Sequence, residues 1–66
     1  MLIRFGRKVR MERQRRHISQ EKLGEMAKVH RTYIGMIERG EKNITLLNIE
    51  KVAMALDLTL KQLMDF

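Results

Sequence analysis

The chain has 66 residues, no cysteine and no proline, and 14 lysines and arginines against 8 acids, for a formal net charge of +6. A chain of this length forms one small domain, here residues 1–66, and without cysteine it has neither disulfides nor a thiolate metal site. The excess of positive charge favours a polyanionic partner, and the absence of a membrane-length apolar run or signal-peptide pattern favours a cytoplasmic protein.

Helical periodicity and start signals predict an all-α fold of five helices. The first helix runs from about Leu2 to Arg16 and ends at His17. Polar caps flanked by apolar residues mark the four later helix starts, at Ser19, His30, Thr45 and Thr59. Gln62 completes a capping box with Thr59, and Gly40 ends the third helix, where a left-handed residue is needed.

Each predicted helix has one apolar face. The residues expected to face inward are Phe5, Val9, Leu23, Met26, Ala27, Ile34, Ile37, Leu46, Ile49, Val52, Ala53, Leu56 and Leu63. Five further apolar residues are surplus to this core: Leu47, Met54, Leu60, Met64 and Phe66. They either cover the edge of the core or form a homodimer contact. We favour the dimer, because a contiguous exposed apolar patch on so small a domain usually has a partner.

The basic residues are concentrated at the start of the chain. Seven of the 14 lie in the first sixteen positions: Arg4, Arg7, Lys8, Arg10, Arg13, Arg15 and Arg16. Such a run is either a solvated helix face or a surface that tracks phosphates, and with the later basic residues the second interpretation is favoured.

Residues 19–40 are predicted to form two short helices joined by a tight turn, and the second exposes Arg31, Thr32, Met36 and Arg39. A short basic helix held on the surface by another helix has the geometry that reads a DNA major groove. Gln20 begins the preceding helix, whose free amides and positive dipole end suit a phosphate. Further candidates for contacts to the DNA phosphates are Tyr33, Arg39, Lys42 and Asn43. The alternative role for Tyr33 is packing against the core.

The pattern Ser19-Gln20-Glu21-x-Leu23-x-x-x-Ala27, followed by Tyr33-Ile34-x-x-Ile37-Glu38-Arg39-Gly40, resembles the Cro/phage-repressor class of helix-turn-helix regulators. Within that class, three runs are similar to controller proteins of restriction–modification systems: His30-Arg31-Thr32-Tyr33-Ile34, Ile37-Glu38-Arg39 and Asn43-Ile44-Thr45. The chain departs from the class at His17 and Lys28, where glycine is frequent, and at Gly35, which interrupts the recognition helix. We expect positive φ angles at His17 and Lys28.

The resemblance implies that bases are read from the positions of Arg31, Thr32 and Met36. A guanidinium fits the two major-groove acceptors of guanine, and a threonine supplies a hydroxyl or packs its methyl on thymine. The alternatives are an exposed solubilising charge at Arg31 and a packing role for Met36. The resemblance also implies a structural ion pair between Arg13 and Glu38, linking the first and third helices.

Glu21 and Glu25 are four residues apart on one helix face. They are either solvated acids or, by the resemblance, contacts to RNA polymerase.

These features predict a homodimeric, sequence-specific DNA-binding regulator. The resemblance implies a restriction–modification controller that recruits polymerase at low occupancy and blocks it at high occupancy. The alternatives are a Cro-like repressor, an antitoxin or adaptor that binds protein, and a nonspecific nucleoid or membrane-surface protein. We expect no catalysis, metal, cofactor or small-molecule ligand, because His17 and Ser19 lack a third orienting group and two histidines make no zinc site.

Overall fold

Five α-helices follow one another in the structure, a computed structural model that describes residues 1–41 and 43–66. They are α1 (Leu2–Arg15), α2 (Gln20–Ala27), α3 (Arg31–Glu38), α4 (Leu46–Ala55) and α5 (Leu60–Leu63). These residues include no strand, so the predicted all-α, five-helix fold is confirmed. No helix in the described ranges combines the length and apolar character needed to cross a membrane.

The predicted side-chain caps are present at all four later helix starts. Ser19, His30, Thr45 and Thr59 accept backbone N–H groups of Lys22, Thr32, Asn48 and Gln62, respectively. The capping box of Thr59 and Gln62 is complete. The left-handed angles expected at His17, Lys28 and Gly40 are also observed, with φ of 56°, 61° and 70°. Asp57, with φ of 58°, adopts the same conformation without having been predicted to do so.

The core contains ten buried apolar residues, all of which were predicted to face inward. They are Phe5, Val9, Leu23, Ala27, Ile34, Ile37, Val52, Ala53, Leu56 and Leu63. Ile49 is half-buried and packs against them.

The inward predictions for Met26 and Leu46 were wrong, since these residues are 44% and 65% exposed. Met26 lies beside Met54 at the open edge between α2 and α4. Leu46 is the first residue of α4 and precedes the part of the helix that reaches the core.

Two glycines set how closely α3 lies against its neighbours. A side chain at Gly24 of α2 would begin 2.7 Å from the carbonyl oxygen of Val29, in the turn before α3. A side chain at Gly6 of α1 would overlap the carbonyl oxygen of Ile37 and lie 2.7 Å from that of Glu38. These neighbouring atoms belong to the backbone and cannot move aside as a flexible side chain does. The two glycines therefore let α3 pack closely between α1 and α2, with its outer face exposed.

Candidate nucleic-acid interface

An open cleft lies between the start of α2 and the outer face of α3. It is lined by Arg13, Ser19, Gln20, Glu21, Arg31, Thr32, Gly35 and Arg39. The structure therefore brings together four residues that were predicted from the sequence to contact DNA, namely Gln20, Arg31, Thr32 and Arg39. The cleft offers cationic and hydrogen-bonding groups beside the exposed face of α3, which suits contact with a nucleic-acid duplex.

The first turn of α3 carries Arg31 and Thr32, both exposed, and Met36 follows at a half-buried position. Arg31 donates from its guanidinium to the Glu21 carboxylate of α2 across 3.1 Å, with 64% and 69% of the two side chains exposed. Exposed ion pairs of this kind contribute little to stability, so Arg31 can exchange Glu21 for another acceptor at small cost. The partner of Glu21 therefore lies on α3 and not on its own helix.

A partly buried hydrogen-bond network supports the start of α2. The Arg13 guanidinium donates to both oxygens of Glu38, over 2.7 and 3.0 Å, and to the Ile18 carbonyl oxygen over 2.9 Å. Gln20 Nε2 donates to the same Glu38 carboxylate over 3.2 Å. The hydrogen bond with Glu38 raises the pKa of Arg13 above its ordinary value. The ion pair predicted to link the first and third helices is confirmed, and it also reaches Gln20.

Tyr33 has a packing contact and a hydrogen bond at its hydroxyl group. It is half-buried and packs against the core, and its hydroxyl oxygen accepts a hydrogen bond of 3.0 Å from Asn48 Nδ2 of α4. Since that contact uses the oxygen as acceptor, the hydroxyl hydrogen can still be donated to a phosphate. Sequence reasoning missed Asn48, because only the fold brings it next to Tyr33.

The segment after α3 carries the remaining predicted backbone contacts. Arg39 donates to Glu41 over 2.6 Å, and this hydrogen bond raises the pKa of Arg39 and lowers that of Glu41. Asn43 is exposed. Lys42 lies outside the described residues.

The basic N-terminal run is partly neutralised by a carboxylate that sequence reasoning missed. Glu12 is buried on α1, and its oxygens lie 3.1 Å from Lys8 Nζ, 2.7 Å from an Arg16 nitrogen and 3.6 Å from an Arg15 nitrogen. The hydrogen bond from Arg16 is the main cause that lowers the pKa of Glu12. With Arg13 bound to Glu38, four of the seven early basic residues face acids. The spacing of three and four residues around Glu12 was visible in the sequence.

The five surplus apolar residues differ in exposure. Leu47 and Met54 of α4 are 63% and 78% exposed. Leu60 and Phe66 are exposed to a smaller degree, and Met64 is half-buried against the core. The Phe66 ring lies 6.1 Å from that of Phe5. Met64 therefore covers the core, whereas Leu47 and Met54 leave an exposed apolar surface on α4.

The matched family model is the helix-turn-helix, and it covers residues 9–63. The chain belongs to this family, whose members are DNA-binding transcriptional regulators and not enzymes. The control protein C.BamHI of Bacillus amyloliquefaciens is 51% identical over 63 residues, which cover 94% of this chain and 78% of that protein.

Solved structures agree with this assignment. The restriction-modification controller protein C.AhdI from Aeromonas hydrophila is 40% identical, with a TM-score of 0.92 over 94% of each chain. The master regulator for biofilm formation SinR, solved in complex with DNA, is 31% identical, with a TM-score of 0.85 over 92% of this chain and 98% of that one. The resemblance seen in the sequence is confirmed.

Proposed function

We propose that this chain is the controller protein of a restriction–modification system, a cytoplasmic homodimer that acts on its own promoter and that of the endonuclease. The observation that carries the proposal is the exposed first turn of α3, where Arg31 and Thr32 share one cleft with Gln20 and Arg39. Similarity to C.BamHI and C.AhdI favours a controller over a Cro-like repressor or a protein-binding antitoxin.

In the proposed complex, α3 enters the major groove. Arg31 leaves Glu21 and donates to the N7 and O6 atoms of a guanine, while Thr32 contacts the neighbouring base pair and Met36 packs against the base edges. The flanking groups fix the register of α3 by contacting phosphates. These groups are Gln20, Tyr33, Arg39, Lys42 and Asn43.

A second copy of the chain supplies the second half-site. The proposed interface is formed by Leu47, Met54, Leu60, Met64 and Phe66, and the large exposure of Leu47 and Met54 supports it. Burying such side chains contributes about 1.5–3 kcal/mol each. Two recognition helices related by a two-fold axis would then read half-sites about 34 Å apart, one turn of the duplex.

The exposed acids of α2, Glu21 and Glu25, are proposed to contact RNA polymerase. Glu25 is the cleaner of the two for testing, because its salt bridge is a loose one of 3.8 Å to Lys22 on the same helix. Glu21 is bound to Arg31, so its removal alters the proposed base reader as well.

A dose series with a reporter tests the proposal. The protein is expressed at graded levels beside the promoter region of its own gene, and DNA binding is followed in parallel by gel shift. A controller first raises and then lowers transcription as its concentration increases. A fall at all concentrations would identify a Cro-like repressor instead. Equal affinity for the promoter region and for scrambled DNA would refute both the controller and the Cro-like repressor. The chain would then be a nonspecific DNA-binding protein or a protein-binding module.

A further inference from the structure

The carboxylate of Glu38 serves two partners at once. One oxygen accepts from Arg13 Nε over 2.7 Å, and the other accepts from the Arg13 terminal nitrogen over 3.0 Å and from Gln20 Nε2 over 3.2 Å. Glu38 is buried at the end of α3, and Arg13 is held in turn by the Ile18 carbonyl oxygen over 2.9 Å. Glu38 is therefore held rigidly from α1 and holds the first side chain of α2.

The contact with Glu38 decides which end of the Gln20 amide faces it. An ionised carboxylate only accepts hydrogen bonds, so the NH₂ end of Gln20 must turn toward Glu38 and the amide oxygen away from it. The oxygen lies on the side of α3, 3.4 Å from the point where a side chain at Gly35 would begin. Nε2 carries two hydrogens, and Glu38 takes one of them. The second makes no hydrogen bond within the described part of the chain, so it is left for an acceptor outside the protein.

An unrestrained glutamine side chain at the surface presents its oxygen or its nitrogen equally well. A phosphate oxygen can only accept hydrogen bonds, so a glutamine that presents its amide oxygen to the phosphate would repel it. Fixing the amide before DNA arrives removes that wrong orientation and part of the entropy cost of ordering the side chain on binding.

We propose that Glu38 is a positioning residue for DNA binding, which turns Gln20 into a dedicated donor to an operator phosphate. This inference rests on the proposed function, and it gives Glu38 a role beyond the ion pair between α1 and α3. The negative charge of Glu38, unfavourable near DNA by itself, acts by orienting a neutral donor.

A double-mutant cycle tests the inference by anisotropy titration of an operator duplex selected from random sequences. The variants are Gln20→Ala, Glu38→Gln and the double variant, each shown to be folded by circular dichroism at the titration temperature. Gln20→Ala should weaken binding about five- to tenfold and leave the salt slope unchanged, because the lost donor is neutral. Arg39→Gln is the matched control and should flatten the slope.

The decisive comparison is Glu38→Gln in the two backgrounds. With Gln20 present, the change should weaken binding severalfold, because the amide is free to present its oxygen. In the Gln20→Ala background, the same change should leave affinity equal or higher, because Glu38 then has no Gln20 amide to orient and a negative charge near the DNA is removed. An equal loss in both backgrounds would show that Glu38 acts only through the fold and would overturn the inference.

NMR of the unmutated protein keeps the inference testable if Glu38→Gln does not fold. On addition of operator, one side-chain amide proton of Gln20, the one on Glu38, should keep its chemical shift while the other moves. Equivalent movement of both protons would overturn the inference. If Gln20→Ala binds as tightly as the original protein while the operator is still distinguished from scrambled DNA, the inference falls and the proposed function stands.

Discussion

Replacing Gly35 with alanine should stabilise the protein, although the residue is buried in the middle of α3. Alanine in a helix interior is favoured over glycine by up to about 1 kcal/mol. The new Cβ would lie 3.1 Å from a terminal nitrogen of Arg39 and 3.4 Å from Gln20 Oε1. The Arg39 contact is the far end of an exposed, flexible side chain and can shift, so we expect a net gain of about 0.5–1 kcal/mol. In a domain of this size, that corresponds to a rise in Tm of about 2–8 °C.

Gly6→Ala is the matched control. It has the same gain in helix propensity, but its new side chain would meet rigid backbone where that of Gly35→Ala meets a flexible side chain. Its Cβ would meet the carbonyl oxygens of Ile37 and Glu38, so α1 would have to move away from α3. Overpacking of this kind costs about 1–3 kcal/mol, and more where rigid backbone is involved, which outweighs the propensity gain. Thermal and urea unfolding followed by circular dichroism measure both variants. Destabilisation by Gly35→Ala, or stabilisation by Gly6→Ala, would refute the packing described for α3.

Four further changes probe the other parts of the account. Arg31→Ala should cost about 1–3 kcal/mol at the operator and relax preference at one base pair, and an equal loss on random DNA would reduce Arg31 to a phosphate contact. Glu25→Gln should lower activation in the reporter assay while gel-shift affinity is unchanged, and full activation would return it to a solvated acid. Leu47→Glu should shift sedimentation from dimer toward monomer, whereas Met11→Glu, an exposed apolar position on α1, should not, and a dimer that survives Leu47→Glu would contradict the proposed interface. Glu12→Gln should lose about 1–3 kcal/mol of stability at neutral pH. Because the pKa of Glu12 is lowered from 4.5, the carboxylate contribution is present above that value and disappears as the pH falls below it. The difference in free energy of unfolding between Glu12→Gln and the original protein should therefore become smaller in acid. A difference independent of pH would exclude the ionised carboxylate as its cause.

The apolar period of the sequence was sufficient to find the core, because a helix turns its side chains by a fixed angle at each residue. Periodicity gives a direction but not the extent of the neighbouring surface. Leu46 lies on the apolar face of α4 but precedes the part of that helix that reaches the core. Met26 lies on the apolar face of α2, at the edge between α2 and α4 that remains open to solvent. For the same reason, the sequence could not show that Leu47 is exposed whereas Met64 is half-buried.

The candidate site was predictable where it depends on one helix and hidden where two helices meet. Exposure of Arg31 and Thr32 follows from their place in the first turn of α3. The partners of such residues lie far along the chain, as Glu21 does from Arg31, and only folding brings them together. Glu12 is different, because its basic neighbours three and four residues away were readable in the sequence.

Discrimination between DNA sequences is the most direct test of the central claim. Random duplexes are enriched on the purified protein, and the affinity for the selected duplex is compared with that for a scrambled duplex of equal length at physiological salt. A sequence-specific regulator should prefer the selected duplex by at least about 10³-fold, with that preference diminished in Arg31→Ala. Failure to enrich any sequence, or a ratio near one, would contradict the account and leave the chain a basic protein that binds DNA by charge alone.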